Sequence, residues 1–162
     1  MIRYCPHCWA ENAYEATLCA ACGMTLEEAE KDFVARLIDA IGHPEPTRAA
    51  LASDILGRQL HEARAVDALL ARLARQPDSM DVTTAVAEAL GQIGAQRAVP
   101  ALAALLLDGQ RPLPARLAAV EALAAIGGVA AQQALVDAAT LPQLPHLLRR
   151  ALGDTQRQTR ST

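Results

Sequence analysis

The spacing of apolar residues predicts that most of this chain is helical. From residue 33 onward, apolar side chains recur every three or four residues, first at Phe33, Val34, Leu37, Ile38 and Ile41. That spacing places them on one face of an α-helix. The region before residue 27 contains four cysteines instead. The pattern therefore predicts a small N-terminal module followed by a mainly α domain.

The helical region also repeats itself. Leu56-Gly57 recurs as Leu90-Gly91 34 residues later, and Ile93-Gly94 recurs as Ile126-Gly127 33 residues later. Each unit contains two short helices with a glycine-bearing turn between them, and neither helix could bury its apolar stripe alone. In the central unit the first and second helices are marked by Val82, Val86, Leu90 and Ile93, and by Val99, Leu102, Leu105 and Leu106.

Composition agrees with an array of helices. The chain has 36 alanines and 23 leucines, but one Phe, one Trp and two Tyr, a bias toward helix formers and away from the residues that fill sheets. Prolines at 46, 100, 112 and 114 fall where helices are expected to start or loops to run. Thr25 and Glu28 have capping-box spacing, which predicts that the first helix starts there.

Charge and hydropathy limit the classes of partner. The formal net charge is −3 with no block of like charges, so nothing global attracts a polyanion or an anionic membrane surface. No apolar run approaches the roughly 18–20 residues that cross a bilayer, and the first residues lack the pattern of a signal peptide. We expect a cytoplasmic protein without membrane insertion, whose thiols stay reduced.

The four cysteines have the spacing of a metal site. Cys5 and Cys8 enclose two residues, as do Cys19 and Cys22. Two such turns supply four thiolates at tetrahedral geometry, which suits Zn²⁺ and leaves no coordination position open for water or substrate. A structural zinc site is therefore predicted. Two disulfides are the alternative in an oxidising compartment, and the ligands alone do not separate zinc from iron.

The stretch YCPHCWAENAYEATLCAACGMTL closely resembles the short bacterial zinc-ribbon family over residues 2 to 26. The shared positions are Pro6, Ala10, Asn12, Gly23 and Leu26, together with the cysteines. In two places the chain departs from the family pattern. Leu18 replaces an aromatic residue, and Trp9 replaces a glycine at a position where the backbone can be left-handed, a conformation that bulky residues disfavour.

The phrases ALGQIGAQRAVPALAALL and RAVDALLARL resemble the short HEAT-like repeats named for phycobilisome lyases, over about residues 33 to 140. The resemblance implies an α-solenoid of HEAT-like helix pairs preceded by the zinc ribbon. We divide the chain into a ribbon at 1–26, a solenoid at 27–153 and a flexible tail at 154–162. A last short helix should cover the open end of the stack.

Such arrays normally act through their surfaces, so we predict a non-enzymatic scaffold or adaptor, an accessory subunit or assembly factor of a larger complex. The resemblance also implies an alternative, a bilin lyase-like enzyme or accessory, but the histidines lie in different repeats with no partner constellation. Asp54, Glu88 and Glu121 occupy equivalent positions in the repeats, which indicates a repeated solvent-facing position. A nucleic-acid-binding ribbon is a third alternative, although residues 1–30 contain one Arg against five Glu.

The predicted partner-binding surface is formed by the second helix of each unit. Its candidate residues, expected to be exposed, are Arg64, Asp67, Arg72, Arg97, Gln132, Gln133 and Asp137. Trp9 is the most suggestive single residue, because tryptophan is enriched at binding hot spots. It is expected either to pack on the neighbouring helix around Phe33 or to stand exposed as a partner anchor.

Overall fold

The computed structural model describes residues 1–6, 8–26 and 32–159. Its N-terminal module has two short strands, β1 (Ile2–Tyr4) and β2 (Glu11–Ala13), which pair antiparallel with Arg3 opposite Asn12. A second, isolated antiparallel bridge joins Leu18 to Thr25. Cys5 and Cys8 follow β1, and Cys19 and Cys22 follow the bridge residue Leu18.

The rest of the described chain is a series of helices. They are α1 (Phe33–Ile41), α2 (Pro46–Asp54), α3 (Val66–Leu73), α4 (Met80–Ile93), α5 (Val99–Leu107), α6 (Leu113–Ile126), α7 (Gly128–Ala139) and α8 (His146–Thr159). A π-helical turn at Ile55–Gln59 extends α2, and short 3-10 turns lead into α3 and α5. None of these described helices is both long enough and apolar enough to cross a lipid bilayer.

The helices form two layers. Helices α2, α4, α6 and α8 pack side by side in one layer, and α1, α3, α5 and α7 form the other, so each unit contributes one helix to each layer. The predicted stripes of the central unit point into the core between them. Val82, Val86, Leu90 and Leu102 are fully buried there. The predicted α-solenoid of helix pairs is confirmed.

Glycines set how closely the first layer packs. A Cβ built on Gly57 of the π-helical turn would lie 2.5 Å from the Cα of Ala89 in α4, and one on Gly91 would lie 2.6 Å from the Cα of Ala122 in α6. Gly57 and Gly91 occupy equivalent positions in successive repeats. Each lets the next helix of the first layer pack closely against it, α4 at Gly57 and α6 at Gly91. Gly94, which ends α4, adopts φ +72°, the left-handed cap that favours glycine.

The start of the first helix differs from the sequence prediction. The first described helix begins at Phe33, with the Asp32 carboxylate accepting from the Ala35 amide at 2.7 Å, whereas Thr25 pairs with Leu18 in the ribbon. Glu28 lies among residues 27–31, which are outside the described residues. The predicted domain boundary between residues 26 and 27 also adjoins this segment.

The C-terminus differs from the prediction in the part that the structure describes. We expect a flexible tail at 154–162, but α8 continues to Thr159, and residues 160–162 lie outside the described residues. Leu148, Leu152 and Thr155 share one face of that helix and are all buried, and the Thr155 hydroxyl donates to the Leu152 carbonyl at 2.9 Å. Because this face packs on α6 and α7, the helix is stabilised beyond the residues that look apolar in sequence.

Candidate metal centre and the joint to the helices

The first cysteine turn is closed by two backbone hydrogen bonds. The Cys5 amide donates to the Ala10 carbonyl, and the Trp9 amide donates to the Cys5 carbonyl, each at 2.9 Å. These bonds fold the chain between β1 and β2 back on itself. Cys5 is fully buried, whereas Cys8 lies at the exposed side of the turn.

The second cysteine turn has the same construction. The Cys19 amide donates to the Met24 carbonyl and the Gly23 amide donates to the Cys19 carbonyl, both at 2.8 Å. Gly23 has φ +71°, a conformation that side chains disfavour, so glycine at this position lets the turn close. Cys19 is buried and Cys22 is exposed, which repeats the pattern of the first turn.

Asn12 ties the two turns together. Its side-chain amide donates to the Ala10 carbonyl at 2.8 Å and to the Cys19 sulfur at 3.6 Å, and its side-chain oxygen accepts from the Ala20 amide at 2.9 Å. Asn12 is 7% exposed. The sequence analysis assigned it no role, although its match to the zinc-ribbon pattern was a signal that could have indicated one.

The four sulfurs fit a tetrahedral metal ion. They all lie within 4.8 Å of one another, with Cys5 to Cys22 at 3.7 Å and Cys8 to Cys19 at 3.5 Å. Sulfurs bound to Zn²⁺ at about 2.3 Å would be about 3.8 Å apart along a tetrahedron edge. A disulfide requires about 2.05 Å, so these two distances favour metal ligation over cross-links.

The electrostatics of the cluster also favour a bound cation. The Cys22 and Ala21 amides lower the pKa of the Cys19 thiol to about 6. The Met24 amide lowers the pKa of Cys22, but burial and the other three sulfurs together raise it to about 12. One thiolate therefore opposes the formation of another nearby. A divalent cation would remove that opposition and allow all four sulfurs to ionise.

Trp9, the residue after ligand candidate Cys8, joins the ribbon to the helices. Its backbone has φ +60°, so the left-handed conformation suggested by the family pattern is present despite the bulky side chain. The indole packs against the turn after α1: a Cβ on Gly42 would lie 2.3 Å from the indole Nε1, and the ring centroid of His43 lies 4.7 Å away. Of the two expectations for Trp9, packing on the solenoid is therefore the one observed.

The site of that packing differs from our expectation. Trp9 meets the C-terminal end of α1, whereas Phe33 at its N-terminal end is 61% exposed. Eight residues of helix separate the two ends by about 12 Å. The sequence marked Phe33 as the apolar partner, but the ribbon instead docks where Gly42 leaves room for an indole.

His43 is the buried centre of this joint. It is 5% exposed, and Tyr4 of β1 contacts its ring edge-on with centroids 5.2 Å apart. Its Nδ1 accepts from the Glu45 amide at 2.9 Å, which requires that nitrogen to be unprotonated. Burial lowers the pKa of His43, and the nearby Arg48 guanidinium lowers it further. The lowered pKa favours the neutral form of His43, which matches the acceptor role of its Nδ1.

Arg72 secures the same turn from inside, so its assignment to an exposed partner surface was wrong. It is 5% exposed and donates to the carbonyls of Ile41 and His43, each at 2.9 Å. Its other nitrogens pair with the Asp78 carboxylate at 2.6 and 2.9 Å. The carbonyls at the end of α1 and the carboxylate together satisfy a buried guanidinium.

The other predicted surface residues are exposed along the second-helix face, which we define as the exposed surface of α3, α5 and α7 with the turns that lead into them. Arg97, in the turn before α5, pairs with Asp67 of α3 at 2.7 Å, and Gln133 donates to Asp137 within α7 at 2.7 Å. Arg64 pairs with Glu62 and Asp32. Gln132 is also exposed.

A cleft of about 210 Å³ opens in this face between α3 and α5. Its lining combines apolar side chains with three polar ones, Gln76, Asp108 and Arg111. The cleft was not predicted. It is lined by Leu70, Leu73, Ala74, Ala101, Ala104 and Leu105. Drug-sized ligands usually occupy 300–1,000 Å³, so this volume suits one side chain better than a small molecule.

The equivalent carboxylates of the repeats lie close enough to interact on the opposite layer. Arg58 contacts Asp54 at 2.9 Å and Glu88 at 3.9 Å. Burial raises the pKa of Glu88. The Arg58 guanidinium lowers this pKa, and the charges of Glu121 and Asp54 raise it.

In the described part of the chain, the four cysteines are the sole group of three or more side chains arranged to hold a metal ion.

Comparisons with known proteins support the helical repeat. A family model described as HEAT repeats matches residues 34–113, from α1 to the start of α6. No curated protein matches the chain. Among 18 matching solved chains is human deoxyhypusine hydroxylase in complex with glycerol, at 26% identity and a TM-score of 0.63.

That alignment covers 85% of this chain and 48% of the human protein. The chain thus spans about half the length of that neighbour. The likeness agrees with a HEAT-like solenoid as the fold, while the activity in the neighbour's name belongs to that protein.

Proposed function

We propose that this protein is a non-enzymatic adaptor, an accessory subunit or assembly factor that binds another protein or complex through its second-helix face, with a structural zinc ribbon at its N-terminus. The observation that carries the proposal is the cleft between α3 and α5, an apolar depression on the face where the predicted polar residues other than Arg72 are exposed. HEAT repeats often serve as protein-interaction modules, which supports the same assignment.

Zinc is the metal we assign to the four cysteines. Four thiolates in two closed turns match structural zinc sites, in which protein ligands occupy all positions. Such a metal stabilises the fold of a short segment and offers no position for a substrate. If held by Cys5, Cys8, Cys19 and Cys22, it would supply folding free energy to the ribbon, while Asn12 would orient the Cys19 sulfur.

The cleft provides an anchor point for a partner. Its volume fits one leucine-sized or aromatic side chain. Arg111 already pairs with Asp108 and donates to the Leu73 carbonyl at 2.9 Å, so the exposed Gln76 is the polar side chain at the cleft that a partner would reach most readily. The exposed polar pairs along α3, α5 and α7 would then fix the register of the partner. Nucleic acid is a poorer fit, since Arg3, the one basic residue of the ribbon, donates to the Leu26 carbonyl.

A site-specific photo-crosslinking experiment tests the surface. A photoreactive amino acid is placed at Ala104 in the cleft or, as the matched control, at Ala125 on α6 of the other layer, both exposed alanines. After irradiation in native cells, the Ala104 protein should form a discrete adduct that the Ala125 protein does not form. Equal labelling at both positions, or none at Ala104, would contradict the proposed surface.

A further inference from the structure

Trp9 belongs both to a cysteine turn of the ribbon and to the joint with the helices, where Tyr4 also contacts His43. Trp9 follows Cys8 directly and donates its amide to Cys5, so its backbone is part of the first cysteine turn. Its indole lies within the joint at Gly42 and His43. The cysteine turn and the joint therefore share the backbone of Trp9.

The conformation of Trp9 makes that connection sensitive to the turn. A bulky residue at φ +60° is held in a sparsely populated region, which persists when the surrounding structure enforces it. Two constraints act on Trp9, the cysteine turn on one side and the contact with Gly42 on the other. If the turn loses its organisation, the backbone can relax to a favoured conformation and withdraw the indole.

The receiving side of the joint is held by hydrogen bonds from the helices. Arg72 binds the Ile41 and His43 carbonyls, and Asp78 fixes its guanidinium, so the Gly42 turn is held independently of the ribbon. Gly42 itself has φ −75°, a conformation open to any residue. The glycine is needed for the space it leaves to Trp9 and not for its backbone freedom.

We propose that metal binding at the four cysteines and docking of the ribbon on the Gly42–His43 turn are one coupled equilibrium, so metal occupancy controls whether that turn is covered. The inference depends on the metal site of the proposed function but not on its partner surface. Coupling is reciprocal: a change that prevents docking must weaken metal binding by the factor by which metal strengthens docking.

The chain contains a single tryptophan, which reports docking directly. Acrylamide quenching of Trp9 fluorescence is measured on the full-length protein with zinc and after removal of zinc by a chelator. Zinc should protect the indole, and removal should raise the quenching constant several-fold. Zinc affinity is measured in parallel by competition with a chromophoric chelator. An indole equally protected with and without zinc would overturn the proposal.

Gly42→Ala separates docking from metal binding. The added methyl would overlap the indole but is compatible with the local backbone, and circular dichroism should show unchanged helicity. Its tryptophan should be readily quenched even with zinc bound, and its zinc affinity should fall about tenfold. Gly153→Ala, where a methyl meets no atom within 4 Å, is the matched control and should behave as wild type.

An unchanged zinc affinity in a Gly42→Ala protein with an exposed tryptophan would refute the coupling. Binding of no zinc by the wild type would instead refute the metal site of the proposed function. Because these measurements use the protein alone, they are independent of whether the second-helix face binds a partner.

Discussion

Helix propensity alone predicts that Gly91→Ala stabilises the protein. The close approach of α4 and α6 at Gly91 leads to the opposite prediction. Gly91→Ala would place a methyl 2.6 Å from the Cα and 2.8 Å from the Cβ of Ala122. Carbon atoms pack best at about 3.5–4.0 Å, so the two helices would have to separate by about 1 Å. The obstacle is helix backbone and cannot rotate away as a flexible side chain would.

The magnitude follows from two opposing effects. Overpacking of this kind costs about 1–3 kcal/mol. Alanine in place of glycine inside a helix gains about 0.5–1 kcal/mol. The midpoints of these two ranges leave a net destabilisation of about 1 kcal/mol, which lowers the melting temperature by about 2–4 °C for a chain of this size.

Thermal unfolding followed by circular dichroism is the assay. Gly153→Ala in α8 is the matched control, because a methyl there meets no atom within 4 Å and only the propensity gain applies. Gly57→Ala, the equivalent substitution one repeat earlier, should behave as Gly91→Ala does. If Gly91→Ala raised the melting temperature as the control does, the packing explanation of the glycine repeat would be wrong.

Three other predictions concern the joint and the metal site. Arg72→Ala should lower the free energy of unfolding in urea by about 3–5 kcal/mol, because Asp78 would be left without its partner, whereas Arg97→Ala should cost less than about 1 kcal/mol since its ion pair is exposed. The folded-state pKa of His43 lies below its ordinary value of 6.5, so its contribution to stability is present above pH 6.5 and is lost as pH falls from there toward the folded-state pKa. When the free energy of unfolding is measured across that pH range, wild type should therefore lose more of it than His43→Gln does. Parallel curves of unfolding free energy against pH for the two proteins would refute this. Asn12→Ala should weaken zinc binding about 10–100-fold in a chelator competition without changing the helical circular dichroism signal.

Local patterns predicted most of the fold. The apolar stripes of the central unit became the buried faces of α4 and α5, and the recurrence of Ile93-Gly94 at Ile126-Gly127 became two equivalent helix ends. The two CxxC pairs came together as one cluster. These features depend on residues near one another in the chain, whose spacing fixes helix faces and turns.

The errors arose where distant segments meet. Arg72 looks like a surface residue in α3, yet it is buried because stacking brings it to carbonyls 29 and 31 residues earlier. Thr155 looks polar, but one face of α8 is covered by α6 and α7. No local pattern specifies which polar side chain will find such a partner.

The sequence by itself thus determined the helical repeat and the cysteine turns, because periodicity and spacing act over a few residues. Only the tertiary structure decided that Trp9 packs at Gly42 and His43 instead of near Phe33. That choice depends on the free space beside Gly42 and on the position of α1 with respect to the ribbon. Both are set by packing between segments more than 30 residues apart, which the linear pattern does not encode.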